Sequence, residues 1–101
     1  VTVSPYRIRW SHPAEQDIER IFDFIAHDSA SMALRVVRRL REHAATLKSL
    51  PNRGRPGVEV NTREIVIPNW PYIVVYRVME QHVEILQIRH AKQQYPPPPA
   101  P

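Results

Sequence analysis

Apolar and polar positions alternate at the start of the chain, with Tyr6, Ile8 and Trp10 on one side and Arg7 and Arg9 on the other. That period of two is expected of a strand with one wet face. From Ala14 the spacing changes: Ile18, Ile21, Phe22 and Ile25 recur along one helical face, which predicts a first helix over 14–27. Pro13 fits a first turn, which needs no intrahelical amide, and Ser11 or His12 stands just outside. Glu15, Asp17, Glu19 and Asp23 load the early turns with anions favoured by the helix dipole. Asp28 and Ser29 offer caps for a second helix whose stripe is Ala33, Val36, Val37, Leu40, Ala44, Leu47 and Leu50, and Pro51 ends it. So short a break makes the helices an antiparallel hairpin, and their joint apolar face needs a sheet beneath it.

NRGRPGVEVN, which holds both glycines of the chain, is the most loop-like stretch between the two halves. Branched apolar runs then predict strands at 63–67, 72–78 and 82–88, separated by PNWP and by the polar MEQ region. Short connections favour antiparallel pairing of neighbours. The expected class is α+β: an N-terminal strand, an antiparallel helical hairpin, then a three-stranded antiparallel meander completing a small sheet. One domain over 1–95 accounts for this, followed by a proline-rich tail, 96–101, with little capacity for a core.

Composition narrows the chemistry. At 101 residues the chain holds a modest core but no large preformed cavity. Cysteine is absent, which removes disulfides, thiolate nucleophiles and sulfur-ligated metals. No apolar run approaches the roughly 18 residues of a membrane helix, and VTVSPYRIRW lacks a signal-peptide pattern, so a cytoplasmic protein without membrane contact is expected. The net charge of +4 permits an anionic partner. Its distribution is lopsided: acids crowd residues 15–28, whereas Arg35, Arg38, Arg39, Arg41, Lys48, Arg53, Arg55 and Arg63 dominate 35–63.

The histidines form no compact ligand motif, so no metal or other cofactor is expected. No serine sits in a nucleophile elbow. What remains is a set of cationic and proton-transfer groups, Arg63, Arg77, Arg89, His90, Lys92 and Tyr95. Cleavage of RNA by its own 2′-hydroxyl needs only a base, an acid and charge stabilisation at phosphate, which such a set supplies. Each member also has a structural reading: Arg63 and Arg77 as solubilising or ion-pairing ends of a hairpin, Lys92 and Arg89 as decoration of a strand exit, His90 as a packed side chain. Tyr95 needs cationic neighbours to act as a base. Trp10 and Tyr72 read as core, and Trp70, in the hairpin turn, as the exposed aromatic.

In combination, YRIRWSHPAEQDIERIFDFI, LPNRGRPG, REIVIPNWPYIVVYRV and VEILQIRHAKQQYP resemble the RelE/ParE superfamily of bacterial toxins from type II toxin-antitoxin pairs. The likeness covers residues 5–96 and rests on the ordered set of motifs. It implies a cognate antitoxin, ParD-like or related, that folds against the toxin and suppresses it, giving a hetero-oligomer. Ile18, Phe22, Arg35, Arg38, Arg39, Arg53 and Arg55 are the antitoxin-facing candidates.

The superfamily divides in activity. RelE-like members cleave messenger RNA on the ribosome without a metal; on that pattern Arg63, Arg77, Lys92 and Tyr95 would be catalytic, with His90 secondary. ParE-like members poison DNA gyrase by protein binding, with no catalytic set, and Arg63, Trp70, Arg77, Arg89 and His90 then become target-binding candidates. The acidic first helix, IPNWPYIVVYRV and IRHAKQQYP resemble the ParE branch more closely, and the ending lacks the denser lysine-arginine cluster of the nucleases. An inactive binding or scaffolding member is the third reading.

Overall fold

A computed structural model of the chain describes residues 6–92; Tyr95 and the tail 96–101 lie outside the described residues. In chain order the elements are β1 (Arg7–Trp10), α1 (His12–Ala26), α2 (Ala30–Ala45), a 3-10 turn (Thr46–Lys48), β2 (Arg55–Pro56), β3 (Arg63–Val66), β4 (Tyr72–Val78) and β5 (His82–His90). The strands form one sheet in the order β1-β5-β4-β3-β2. The α+β architecture is as expected: an N-terminal strand, a helical hairpin and an antiparallel meander.

The helices cover one face of the sheet. Ala14 and Ile18 from α1, Val36, Leu40 and Ala44 from α2, and Leu47 meet Ile65, Ile67, Tyr72, Val74, Tyr76, Val83, Ile85 and Ile88 in a single core. Burying a side chain of this size contributes about 1.5–3 kcal/mol, so this layer dominates stability. Ser11 joins strand to helix. Its amide donates to the Ile85 carbonyl at 3.0 Å, and its hydroxyl accepts from the Ala14 amide at 3.2 Å while donating to the Leu86 carbonyl at 3.1 Å. Leu86 is the extra residue where the β4–β5 register shifts between Val75 and Tyr76, so Ser11 satisfies a carbonyl beside a bulge.

Several boundaries differ from the sequence reading. α1 starts at His12 because Ser11 is its cap, and α2 stops at Ala45, before Pro51. The 3-10 turn keeps Leu47 in the core but leaves Leu50 61% exposed. β5 runs to His90, where Tyr72 pairs with it and the Ala91 amide reaches the Pro71 carbonyl. β1 lies parallel to β5, Arg7–Trp10 against His82–Ile85, since the preference for antiparallel pairing governs only strands joined by short loops. β2, two residues ending in proline, carries no periodicity to read.

Candidate functional site

On the helix side, α1 and the ends of β4 and β5 enclose a groove of about 530 Å³ lined by Asp17, Arg20, Ile21, Phe24, Tyr72 and His90. Phe24, off the core stripe of α1, is 79% exposed. β1 ends at Trp10, so the β5 amide of Ile88 has lost its strand neighbour, and Asp17 Oδ2 accepts from it at 2.9 Å. Asp17 also pairs with Arg20. The rings of Tyr72 and His90 meet edge to face, 5.7 Å between centroids, and His90 Nδ1 accepts from the Lys92 amide at 3.1 Å. The groove is therefore a fixed apolar floor with a charged pair on one wall.

A second recess, about 590 Å³, opens where β3 and β4 meet the loop from Pro56 to Thr62, and Arg63, Arg77 and Glu80 line it. Arg63 is also committed to the preceding loop: one guanidinium nitrogen donates to the Gly54 carbonyl at 2.7 Å and the Asn52 carbonyl at 3.3 Å. The fully buried Tyr76 holds the same loop from below, accepting from the Gly54 amide at 2.9 Å and donating to the Pro51 carbonyl at 2.7 Å. Burial raises the Tyr76 pKa; the Gly54 hydrogen bond and the charges of Arg63 and Arg53 oppose that rise.

The face of the sheet turned from the helices has its own polar chain. Glu64, 4% exposed, accepts from Arg89 at 2.9 Å and from Arg55 at 3.1 Å. The Glu64–Arg89 bond spans β4 from β3 to β5, over Val75 and Ile73, which the register places opposite Glu64 and Arg89. Both are nearly fully buried although no helix covers them. The Glu64–Arg89 ion pair lies across them and is itself nearly fully buried.

The structure thus joins Arg63 and Arg77 in one recess, puts His90 in the groove and buries Arg89 in an ion pair. Trp70, expected to be exposed, is half-buried against the core because the PNWP turn folds it inward, with Asn69 at φ 68. Ile18 is core and Phe22 half-buried. Arg35 and Arg38 are exposed on α2, Arg39 lies 3.8 Å from Glu42, Arg53 donates to Thr46 Oγ1, and Arg55 belongs to the sheet face, so these cations form no single patch. Lys92 is exposed just beyond β5, and Tyr95 lies outside the described residues. Arg41 is drawn inward, bidentate on Glu15 and 4.7 Å over the Trp10 ring; the Arg41 hydrogen bonds hold the Glu15 carboxyl below its ordinary pKa. Phe24, Glu64 and Tyr76 escaped the sequence reading. Only Phe24 left a signal, as an aromatic out of step with its stripe.

Among described residues no helix is long and apolar enough to cross a membrane. The family model described as the ParE toxin of the type II toxin-antitoxin system, parDE, matches residues 8–95. The protein Y4kP of Sinorhizobium fredii is 40% identical over 94 residues, covering 93% of this chain and 97% of its own. Toxin RelE2 of Caulobacter vibrioides is 34% identical over 85 residues, 84% of this chain and 94% of that protein. In fold, the chain is similar to one from the chromosomal ParDE system of P. aeruginosa, with a TM-score of 0.81, 24% identity, and 89% and 100% of the two chains covered. It is also similar to one from the RelBE2 toxin-antitoxin complex of Mycobacterium tuberculosis, with a TM-score of 0.64, 22% identity, and 90% and 98% covered.

Proposed function

The chain belongs to the ParE toxin family of type II toxin-antitoxin systems, and from that premise we propose that it arrests growth in the cytoplasm by binding DNA gyrase, until a cognate antitoxin neutralises it. The observation that carries this reading is the match to the ParE family model across residues 8–95. The engagement of the polar groups agrees with it. Arg63 is tied to loop carbonyls, Tyr76 to the loop beneath, and Arg89 to Glu64, so these groups are spent on architecture. A poison acting by protein contact needs no acid-base pair. The antitoxin segment fits the groove on the helix side, where exposed Phe24 beside Ile21 and Tyr72 supplies an apolar anchor and Asp17 and Arg20 a polar rim.

One observation favours the RelE-type reading, in which the chain cuts messenger RNA on the ribosome: Arg63 and Arg77 share one open recess, and Arg77, with no carboxylate within ion-pair distance among the described residues, is placed to meet a phosphate there. Purified, antitoxin-free protein separates the two. Gyrase poisoning predicts loss of supercoiling and accumulation of gyrase-cleaved DNA, with ribosome-bound message intact. Unchanged gyrase activity together with cut message would sink the proposal.

A further inference from the structure

The face of the sheet away from the helices carries an excess of arginine. Ile8 and Trp10 pack against the core, so strand alternation turns Arg7 and Arg9, both exposed, to the other side. The register carries the same face across the sheet: Arg9 stands opposite Glu84, and Glu84 opposite Arg77. Farther along, Arg89 and Arg55 flank Glu64. Arginine-glutamate-arginine thus occurs twice on one surface, with Arg7 in addition. The Glu64 set is closed by hydrogen bonds. In the Glu84 row, among the described residues, neither Arg9 nor Arg77 has a carboxylate within ion-pair distance, and Arg7 has none either.

We propose that this face binds the phosphodiester backbone of duplex DNA through Arg7, Arg9 and Arg77, with the Arg55–Glu64–Arg89 chain as its rigid floor. Arg7 and Arg9 repeat at about 6.7 Å along β1, and Arg77 lies two strands away, about 10 Å across the sheet. Planar guanidinium groups are suited to phosphate oxygens. Two features of the face select a duplex over other anions. Among the described residues it lacks a tyrosine or tryptophan stacking platform: Trp10, Tyr72 and Tyr76 all point to the helix side, and Trp70 packs against the core, whereas single strands are held by aromatic stacking. The apolar side chain that β3 leaves exposed on this face is Val66, at 49%, a residue type under-represented among interface anchors, while Ile73 and Val75 are 4% and 3% exposed. The inference goes beyond gyrase binding, because it gives the toxin its own hold on DNA.

Fluorescence anisotropy of a labelled mixed-sequence duplex of about 20 base pairs, titrated with the full antitoxin-free chain at several salt concentrations, tests this. Each phosphate contact steepens the dependence of log affinity on log salt by about 0.9. The triple variant R7A/R9A/R77A is expected to bind at least tenfold more weakly, with the slope reduced by about 2.7. R35A/R39A, on the far side of the molecule, is expected to stay within twofold. Circular dichroism confirms folding, and the single variants R9E and R77E repeat the test if the triple fails to fold. No saturable duplex binding, equal losses in the α2 variant, or tighter binding of single-stranded RNA or polyglutamate would overturn the inference. Gyrase poisoning without duplex binding defeats this inference and leaves the proposed function standing. Duplex binding with unaffected gyrase does the reverse.

Discussion

The Tyr76 hydroxyl has two partners, and both belong to the loop that joins the helical half to the meander. Replacing Tyr76 by phenylalanine leaves the Gly54 amide and the Pro51 carbonyl without that oxygen, and such unsatisfied groups cost about 1–3 kcal/mol. Chemical denaturation should show that loss near neutral pH. At alkaline pH the ranking narrows. Burial raises the Tyr76 pKa above its ordinary value, so the folded state keeps a proton that the unfolded chain releases. Its contribution is intact below about pH 10 and falls as the pH climbs toward the folded value. Wild-type stability should therefore decline from about pH 10 more steeply than that of Tyr76→Phe; parallel declines would refute the linkage. Gly54 is the other half of the contact. A Cβ there would stand 2.6 Å from the Tyr76 hydroxyl and 2.8 Å from the Glu64 carbonyl oxygen, and one of these neighbours is backbone. Gly54→Ala should destabilise by about 1–3 kcal/mol and loosen the loop that Arg63 caps, seen as faster amide exchange at Gly54.

Between elements, the seam of α1 and β5 shows how far pattern alone reaches. The stripe of Ile18, Ile21 and Ile25 and the alternation of the strands were legible because burial repeats with the period of the element. Asp17 was legible only as an early-turn anion. Its reach to the Ile88 amide depends on where β1 ends and on the Leu86 bulge, and neither has a periodicity. Glu64 escaped for a related reason: its partners come from strands on either side of it in the sheet, and only the register brings them together. Cations at the hairpin ends were read as candidates for a target, yet Arg89 is held in the sheet by a carboxylate the pattern treats as just another polar position. Asp17→Ala should cost about 1–3 kcal/mol, because it orphans a strand amide. Asp17→Asn, which keeps an oxygen acceptor, should cost less. Hydrogen exchange at Ile88 is the local readout, and protection unchanged in the alanine variant would show that the bond is not what holds the seam.

For the whole molecule, the two sides of the sheet carry different chemistry: an apolar groove under α1 and an arginine-rich face opposite. If the antitoxin occupies the groove and the toxic action does not need it, one substitution should uncouple neutralisation from toxicity. Phe24 suits this test because it is 79% exposed, so replacing it removes no core packing. Loss of a central aromatic anchor typically weakens an interface by about 2–4 kcal/mol, roughly 30-fold to 1000-fold. Phe24→Glu should bind the antitoxin that much more weakly in calorimetric titration. It should keep the melting temperature and gyrase effect of the parent, and it should arrest growth even when the antitoxin is co-expressed. Rescue as complete as for the parent chain would mean that the antitoxin covers another surface. Loss of toxicity together with loss of antitoxin binding would mean that the target and the antitoxin compete for Phe24, in which case neutralisation is direct occlusion of the target site.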